Sequence, residues 1–136
     1  MTIRILIVDD HAVIRKALRR YLEDEEDFIV VGEAVDGRDG IAKAEELLPD
    51  VILMDVSMPT MDGIDATRLL SQRLPLVKVL MLSVYNSSDH CIRAVDAGAR
   101  GFVLKESSAV EVAGAIHTIM SGRLYFGKGV SNLRDA

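Results

Sequence analysis

Five short runs rich in Val, Ile and Leu punctuate this chain: IRILIV (3–8), FIVVGEA (28–34), VILM (51–54), VKVLML (77–82) and GFVL (101–104). They recur at intervals of roughly twenty to twenty-five residues, and each is too short for a typical helix, so each reads as a strand. The intervening segments carry helical spacing. Ile14, Leu18, Tyr21 and Leu22 share one face of a first helix, and Ile41, Ala44 and Leu48 mark a second, closed by Pro49. Ile64 with Leu69 and Leu70 predicts a third, ended near Pro75, and a fourth spans about 87–97 and stops at Gly98. Val112, Ile116, Ile119 and Met120 form the stripe of a fifth, followed by Gly122. Strict β–α alternation demands a parallel sheet with helices on both faces and right-handed crossovers. The expectation is a doubly wound α/β domain with five helices around a five-stranded sheet, for which 2-1-3-4-5 is the common strand order.

The 136 residues suit a single core, taken to span 1–122, with 123–136 (RLYFGKGVSNLRDA) as a tail or the start of a linker. A net charge of -5 argues against binding nucleic acid through the chain's own electrostatics. No apolar stretch approaches a membrane span, and the lone cysteine, Cys91, fits a reducing cytoplasm. Its expected role is that of a small apolar side chain on the fourth helix.

Ligands of doubly wound sheets bind beyond the carboxyl ends of the strands. There the chain places Asp9-Asp10-His11 after strand one, Asp55-Val56-Ser57 at strand three, Ser83 at strand four and Lys105 after strand five. Each has an ordinary reading. Asp9 or Asp10 could cap a helix, Asp55 could greet a loop, Ser83 and Lys105 could be turn or surface residues, and His11 reads as a solvent-facing first-turn residue. Together they converge on one rim. Three carboxylates so close repel one another unless a proton or cation intervenes. A hard dication such as Mg²⁺ takes one or two carboxylates plus phosphate oxygens, and Lys105 adds positive charge without filling the metal site. The pattern fits a place where a phosphoryl group is received.

LIVDDHAVIR, VILMDVSMPTMDG, MLSV and GARGFVLK, in this order, resemble the receiver domain of two-component response regulators over residues 3 to about 122. The DDH opening and the GARGFVLK segment look most like the NarL/FixJ-type subfamily, whose members carry a C-terminal helix-turn-helix output domain. The resemblance implies a flavodoxin-like fold and a role for each rim residue. Asp55 becomes the phosphoacceptor, served by a sensor histidine kinase. Asp10 becomes a direct Mg²⁺ ligand, with Asp9 acting largely through a metal-bound water and Ser57 offering its backbone carbonyl. Lys105 and Ser83 hold the phosphoryl group, and Ser57 and Tyr85 tune dephosphorylation. Ser83 and an inward swing of Phe102 form the switch, reshaping the surface of the fourth helix, fifth strand and fifth helix for homodimer formation or release of an output. DNA is reached only through an output domain, no membrane is involved, and the domain signals rather than turning over a substrate.

Three departures from the family pattern stand out. Phe102 lacks the hydroxyl of the frequent tyrosine, Ser83 lacks the methyl of threonine, and Glu106 follows Lys105 in place of proline, so no cis peptide is assumed there. The rival readings are a stand-alone receiver acting through protein contacts and a haloacid-dehalogenase-type phosphatase. The latter normally wants a second aspartate two residues after the nucleophile, where Ser57 stands.

Overall fold

The computed structural model describes residues 2–84, 87–105 and 109–126. Its elements alternate in chain order: β1 (Ile3–Val8), α1 (Ala12–Glu23), β2 (Phe28–Ala34), α2 (Gly37–Leu47), β3 (Val51–Asp55), α3 (Gly63–Arg73), β4 (Lys78–Ser83), α4 (Ser88–Asp96), β5 (Gly101–Leu104), α5 (Ala109–Met120) and β6 (Tyr125–Phe126). The strands form one sheet in the order β2-β1-β3-β4-β5-β6, with every pair parallel. The expected 2-1-3-4-5 arrangement is present, extended at one edge. There Tyr125–Phe126, read from sequence as tail, pairs with Gly101 and Phe102. The Tyr125 hydroxyl donates to Glu111 on α5 at 2.9 Å, which ties this strand down.

Side-chain alternation along the strands builds two cores. Leu6, Val8, Ile52 and Met54 point toward α2, α3 and α4, where Ile41, Ile64, Leu70 and Cys91 meet them. Ile5, Ile7, Val51 and Leu53 point the other way, toward α1 and α5, against Leu22, Val112 and Ile116. Because both faces are covered, Val51, Ile52, Leu53 and Met54 are all fully buried. Burial contributes roughly 2 kcal/mol for each such side chain, and that anchors β3 as the stiff centre of the sheet. Cys91 is buried as expected, and burial pushes its thiol up to about 11, which leaves it unreactive.

The helices start where short polar side chains cap them. Asp36 accepts from the Asp39 N–H and Asp62 from the Asp65 N–H, each at 2.8 Å, and Ser87 accepts from the His90 N–H at 3.2 Å. Helix α4 ends as its glycine predicts. Gly98 has φ +108°, and a Cβ there would lie 2.1 Å from Ser71 Oγ. Among the helices whose starts are described, α1 is the exception, because its N-cap is His11 and no side chain caps it. The residues ahead of α1 are committed elsewhere.

Candidate functional site

Register decides which side chains meet. Strand β1 lies between β2 and β3, so the chain reverses its winding direction there and leaves a crevice beyond the carboxyl ends of β1 and β3. Val8 pairs with Met54, Asp55 with Leu82, and Ser83 with Leu104. The Lys105 N–H donates to the Ser83 carbonyl at 2.7 Å. Asp9, Asp55, Ser83 and Lys105 therefore stand level along one rim. The period of two also puts Asp55 in line with Val51 and Leu53, and Lys105 in line with Val103, on the α1/α5 side of the sheet.

Asp9 is fully buried and Asp55 is 2% exposed, a costly setting for two carboxylates unless opposite charge is supplied. Lys105 supplies part of it. Its Nζ lies 2.8 Å from Asp9 Oδ2 and 3.2 Å from Asp55 Oδ2. Both Oδ2 atoms are buried and have no donor besides this ammonium. The other oxygens are served: Asp55 Oδ1 accepts from the Ser57 N–H at 3.3 Å, and Asp9 Oδ1 accepts from the His11 N–H at 2.8 Å. Burial first, and the Asp9 charge second, push the Asp55 carboxyl up to about 6, against the opposing pull of Lys105.

Asp10 is exposed at the mouth of the crevice, yet one ligand atom each from Asp9, Asp10, His11 and Asp55 falls within 4.8 Å of the others. Three carboxylates against one ammonium leave a local deficit of positive charge that a dication would fill. The two Oδ2 atoms that share one ammonium between them and the all-oxygen character of the carboxylates fit a hard cation such as Mg²⁺.

Ser57 is exposed beside Asp55, and Ser83 is buried at the end of β4. Phe102 is fully enclosed among the side chains facing α3 and α4, so the expected inward swing has no outward starting point in this structure. Tyr85 and the Lys105–Glu106 peptide lie outside the described residues.

Three residues escaped the sequence reading. His11, taken as solvent-facing, is half exposed, but its Nδ1 sits 2.9 Å from Asp9 Oδ1, 3.1 Å from Asp10 Oδ1 and 3.4 Å from Lys105 Nζ. Its only sequence signal was adjacency to the aspartate pair. Gly63 presses against the backbone of Asp55, where a Cβ would lie 2.0 Å from the Asp55 carbonyl oxygen. Arg15, on the polar side of α1, reaches the Asp9 carbonyl at 2.5 Å.

Residues 5–117 match the family model described as the response regulator receiver domain. The response regulator protein VraR of Staphylococcus aureus is 44% identical over 126 residues, covering 93% of this chain and 60% of that protein. The chain therefore spans about 60% of the length of the curated relatives it matches. Among solved structures, a LuxR-family two-component response regulator from Aurantimonas sp. SI85-9A1 superposes with a TM-score of 0.92 at 34% identity, covering 96% of this chain and 93% of that one. The signal receiver domain of the putative response regulator NarL from Mycobacterium tuberculosis superposes with a TM-score of 0.84 at 33% identity, covering 90% and 98%. A doubly wound sheet, an acidic crevice at its switch point and these likenesses agree: the chain belongs to the response regulator receiver domain family, of the LuxR/NarL type.

Proposed function

We propose that Asp55 accepts a phosphoryl group from the phosphohistidine of a sensor histidine kinase, with Mg²⁺ held by Asp10, Asp55, the Ser57 backbone carbonyl and, through water, Asp9. The observation that carries this reading is the rim itself: the Asp55 Oδ2 atom is buried and its one donor is the Lys105 ammonium, 3.2 Å away and shared with Asp9. That oxygen is the nucleophile. It attacks phosphorus in line, the P–N bond breaks, and its electron pair leaves with the donor imidazole. The product is an acyl phosphate on Asp55. Bound Mg²⁺ supplies charge neutralisation for the carboxylates and the incoming phosphoryl oxygens. Lys105 pairs with a phosphoryl oxygen and so gives up part of its hold on Asp9, while the Ser83 hydroxyl donates to another. The buried floor of β3 keeps Asp55 at one height, so catalysis rests on positioning and charge rather than on proton transfer.

Water later releases phosphate, at a rate tuned by Ser57 and Tyr85, so the domain signals instead of turning over a substrate. The signal runs from Ser83, whose carbonyl holds the Lys105 N–H, to the neighbouring β5 and to Phe102, already buried. Phosphorylation then stabilises one arrangement of the α4–β5–α5 surface for homodimer formation or release of an output. We place the end of the receiver after β6 rather than at 122, since Tyr125 and Phe126 pair with β5, and beyond it a linker leading in the whole protein to a helix-turn-helix domain that binds DNA in the cytoplasm. Among the described residues no helix is long and apolar enough to cross a membrane.

Intact-mass measurement after incubation with acetyl phosphate tests this directly. One phosphoryl group is gained with Mg²⁺ and none with chelator; no gain in either condition, or a gain that ignores Mg²⁺, overturns the proposal. Lys105→Met separates the roles. The variant retains Mg²⁺ binding but phosphorylates about 10²-fold more slowly, the usual scale for losing one preorganised charge. Without the ammonium the Asp55 carboxyl rises above about 6. Carbon-detected NMR titration of Asp55 reads that shift, and an unmoved titration would show that Lys105 does not act on this carboxylate.

A further inference from the structure

We infer that Arg15 is a positioning residue for the acidic pocket, clamping the Asp9-Asp10-His11 turn from behind while Glu33 and Arg19 hold the clamp. The inference rests on the metal-dependent reading above. The Arg15 side chain holds the start of the turn: its Nη1 donates to the Asp9 carbonyl at 2.5 Å, whereas the bond from its backbone N–H to the His11 carbonyl at 3.1 Å belongs to the first turn of α1 and does not depend on the side chain. On its other side, Arg15 Nε donates to Glu33 Oε1 at 3.2 Å, and Arg19 Nη1 holds Glu33 Oε2 at 2.8 Å. The Arg19 hydrogen bond first, and Arg15 after it, keep the Glu33 carboxyl below the usual carboxylate range in spite of partial burial, so Glu33 stays charged. The strand carrying it is itself anchored, since the Asp9 N–H donates to the Ala34 carbonyl at 3.1 Å and Lys43 Nζ donates to the Glu33 carbonyl at 2.5 Å.

The turn needs such support because α1 has no side-chain N-cap and no acidic residue in its first turn. Asp9 Oδ1, which would otherwise be free to cap, is spent on the His11 N–H inside the pocket. Rotation of the Asp9–Asp10 peptide would carry the exposed Asp10 carboxylate away from the cluster, and the Arg15 contact to the Asp9 carbonyl resists that rotation. Among the described residues the hydrogen bonds of the Arg15 side chain go to this carbonyl and to Glu33, not to the carboxylates of the pocket. Arg15 therefore acts on Mg²⁺ through geometry.

That assignment fixes the sign of an experiment. Removing a cation from beside an acidic cluster should tighten a dication if charge alone mattered; removing a positioning clamp should loosen it. Titration calorimetry with Mg²⁺, repeated at high KCl to screen long-range charge, should show Arg15→Met weakening binding about ten-fold, the lower end for loss of a group supporting metal ligands. Arg15→Lys loses less, because an ammonium replaces one contact of the fork but not both. Phosphorylation by acetyl phosphate should recover to the parent rate at saturating Mg²⁺, which generalised damage to the site would not allow. A folded Arg15→Met with unchanged or tighter Mg²⁺ binding overturns the clamp. Should that variant fail to fold, Arg15→Lys decides on the same criterion. A parent protein that binds no Mg²⁺ would instead overturn the underlying reading, and the clamp with it.

Discussion

Metal-free Asp55→Asn melts above the parent protein at pH 7 and gains no phosphoryl group from acetyl phosphate. Loss of labelling follows from removing the nucleophilic oxygen. The gain in stability follows from burial, which with Asp9 pushes the Asp55 carboxyl up to about 6. A raised carboxyl pKa means that the folded state holds the proton more tightly than the unfolded one. The contribution is then fully present below about pH 4, the ordinary carboxylate value, and is lost as pH rises to about 6. At neutral pH the parent carries a deficit of roughly 3 kcal/mol, about 10 °C in melting temperature for a domain of this size. Asparagine removes the charge and flattens this part of the pH profile. Mg²⁺ should stabilise the parent, by mass action on the folded state, and the variant less. Calorimetric scans from pH 4 to 8, with and without Mg²⁺, check both signs. A variant less stable than the parent under metal-free neutral conditions would show that Lys105 already more than offsets the cost of burying Asp55.

Gly63→Ala is expected to be the most damaging single methyl in the domain. A Cβ at Gly63 would lie 2.0 Å from the Asp55 carbonyl oxygen and 2.9 Å from both the Asp55 carbonyl carbon and Met54 Cγ. Two of those atoms are backbone of a fully buried strand, so they cannot rotate aside. The Gly63 N–H also donates to the Val56 carbonyl at 2.8 Å, which holds the start of α3 against the end of β3. Overpacking at a rigid contact costs about 3 kcal/mol, roughly 10 °C in melting temperature. Because the displaced atoms belong to Asp55, phosphorylation should slow as well, even in the fraction that folds. Thermal melting and a labelling time course test this; a variant with parental melting and parental labelling would show that the β3–α3 junction yields freely.

Much of the fold and of the rim is legible in the sequence. Val51, Ile52, Leu53 and Met54 announce a strand covered on both faces, and the alternating segments dictate a parallel sheet, so Asp55 at its end had to lie on the ligand-binding rim. Asp9, Ser83 and Lys105 follow from the same rule applied to their strands. What the pattern could not convey depends on tertiary contact. Two residues, Tyr125 and Phe126, are too few to show a period, and they became a strand by pairing with β5 and by the bond to Glu111. Nothing local to Asp62 and Gly63 signals the approach of the Asp55 backbone. Arg15 sat unremarked on a charged helix face, since its partners lie at Asp9 and on β2. The inward placement of Phe102 is a packing outcome among α3 and α4 residues far away in sequence.

An Asp55 carboxylate oxygen is the proposed acceptor of phosphorus. Acetyl phosphate with Mg²⁺, followed at once by borohydride reduction and peptide mass spectrometry, reads the site chemically, because an aspartyl phosphate is reduced to homoserine while free carboxylates are not. Homoserine at position 55, absent when Mg²⁺ is chelated, is the predicted result. Homoserine at Asp9 or Asp10, or reduction at position 55 that proceeds equally well without Mg²⁺, would contradict it.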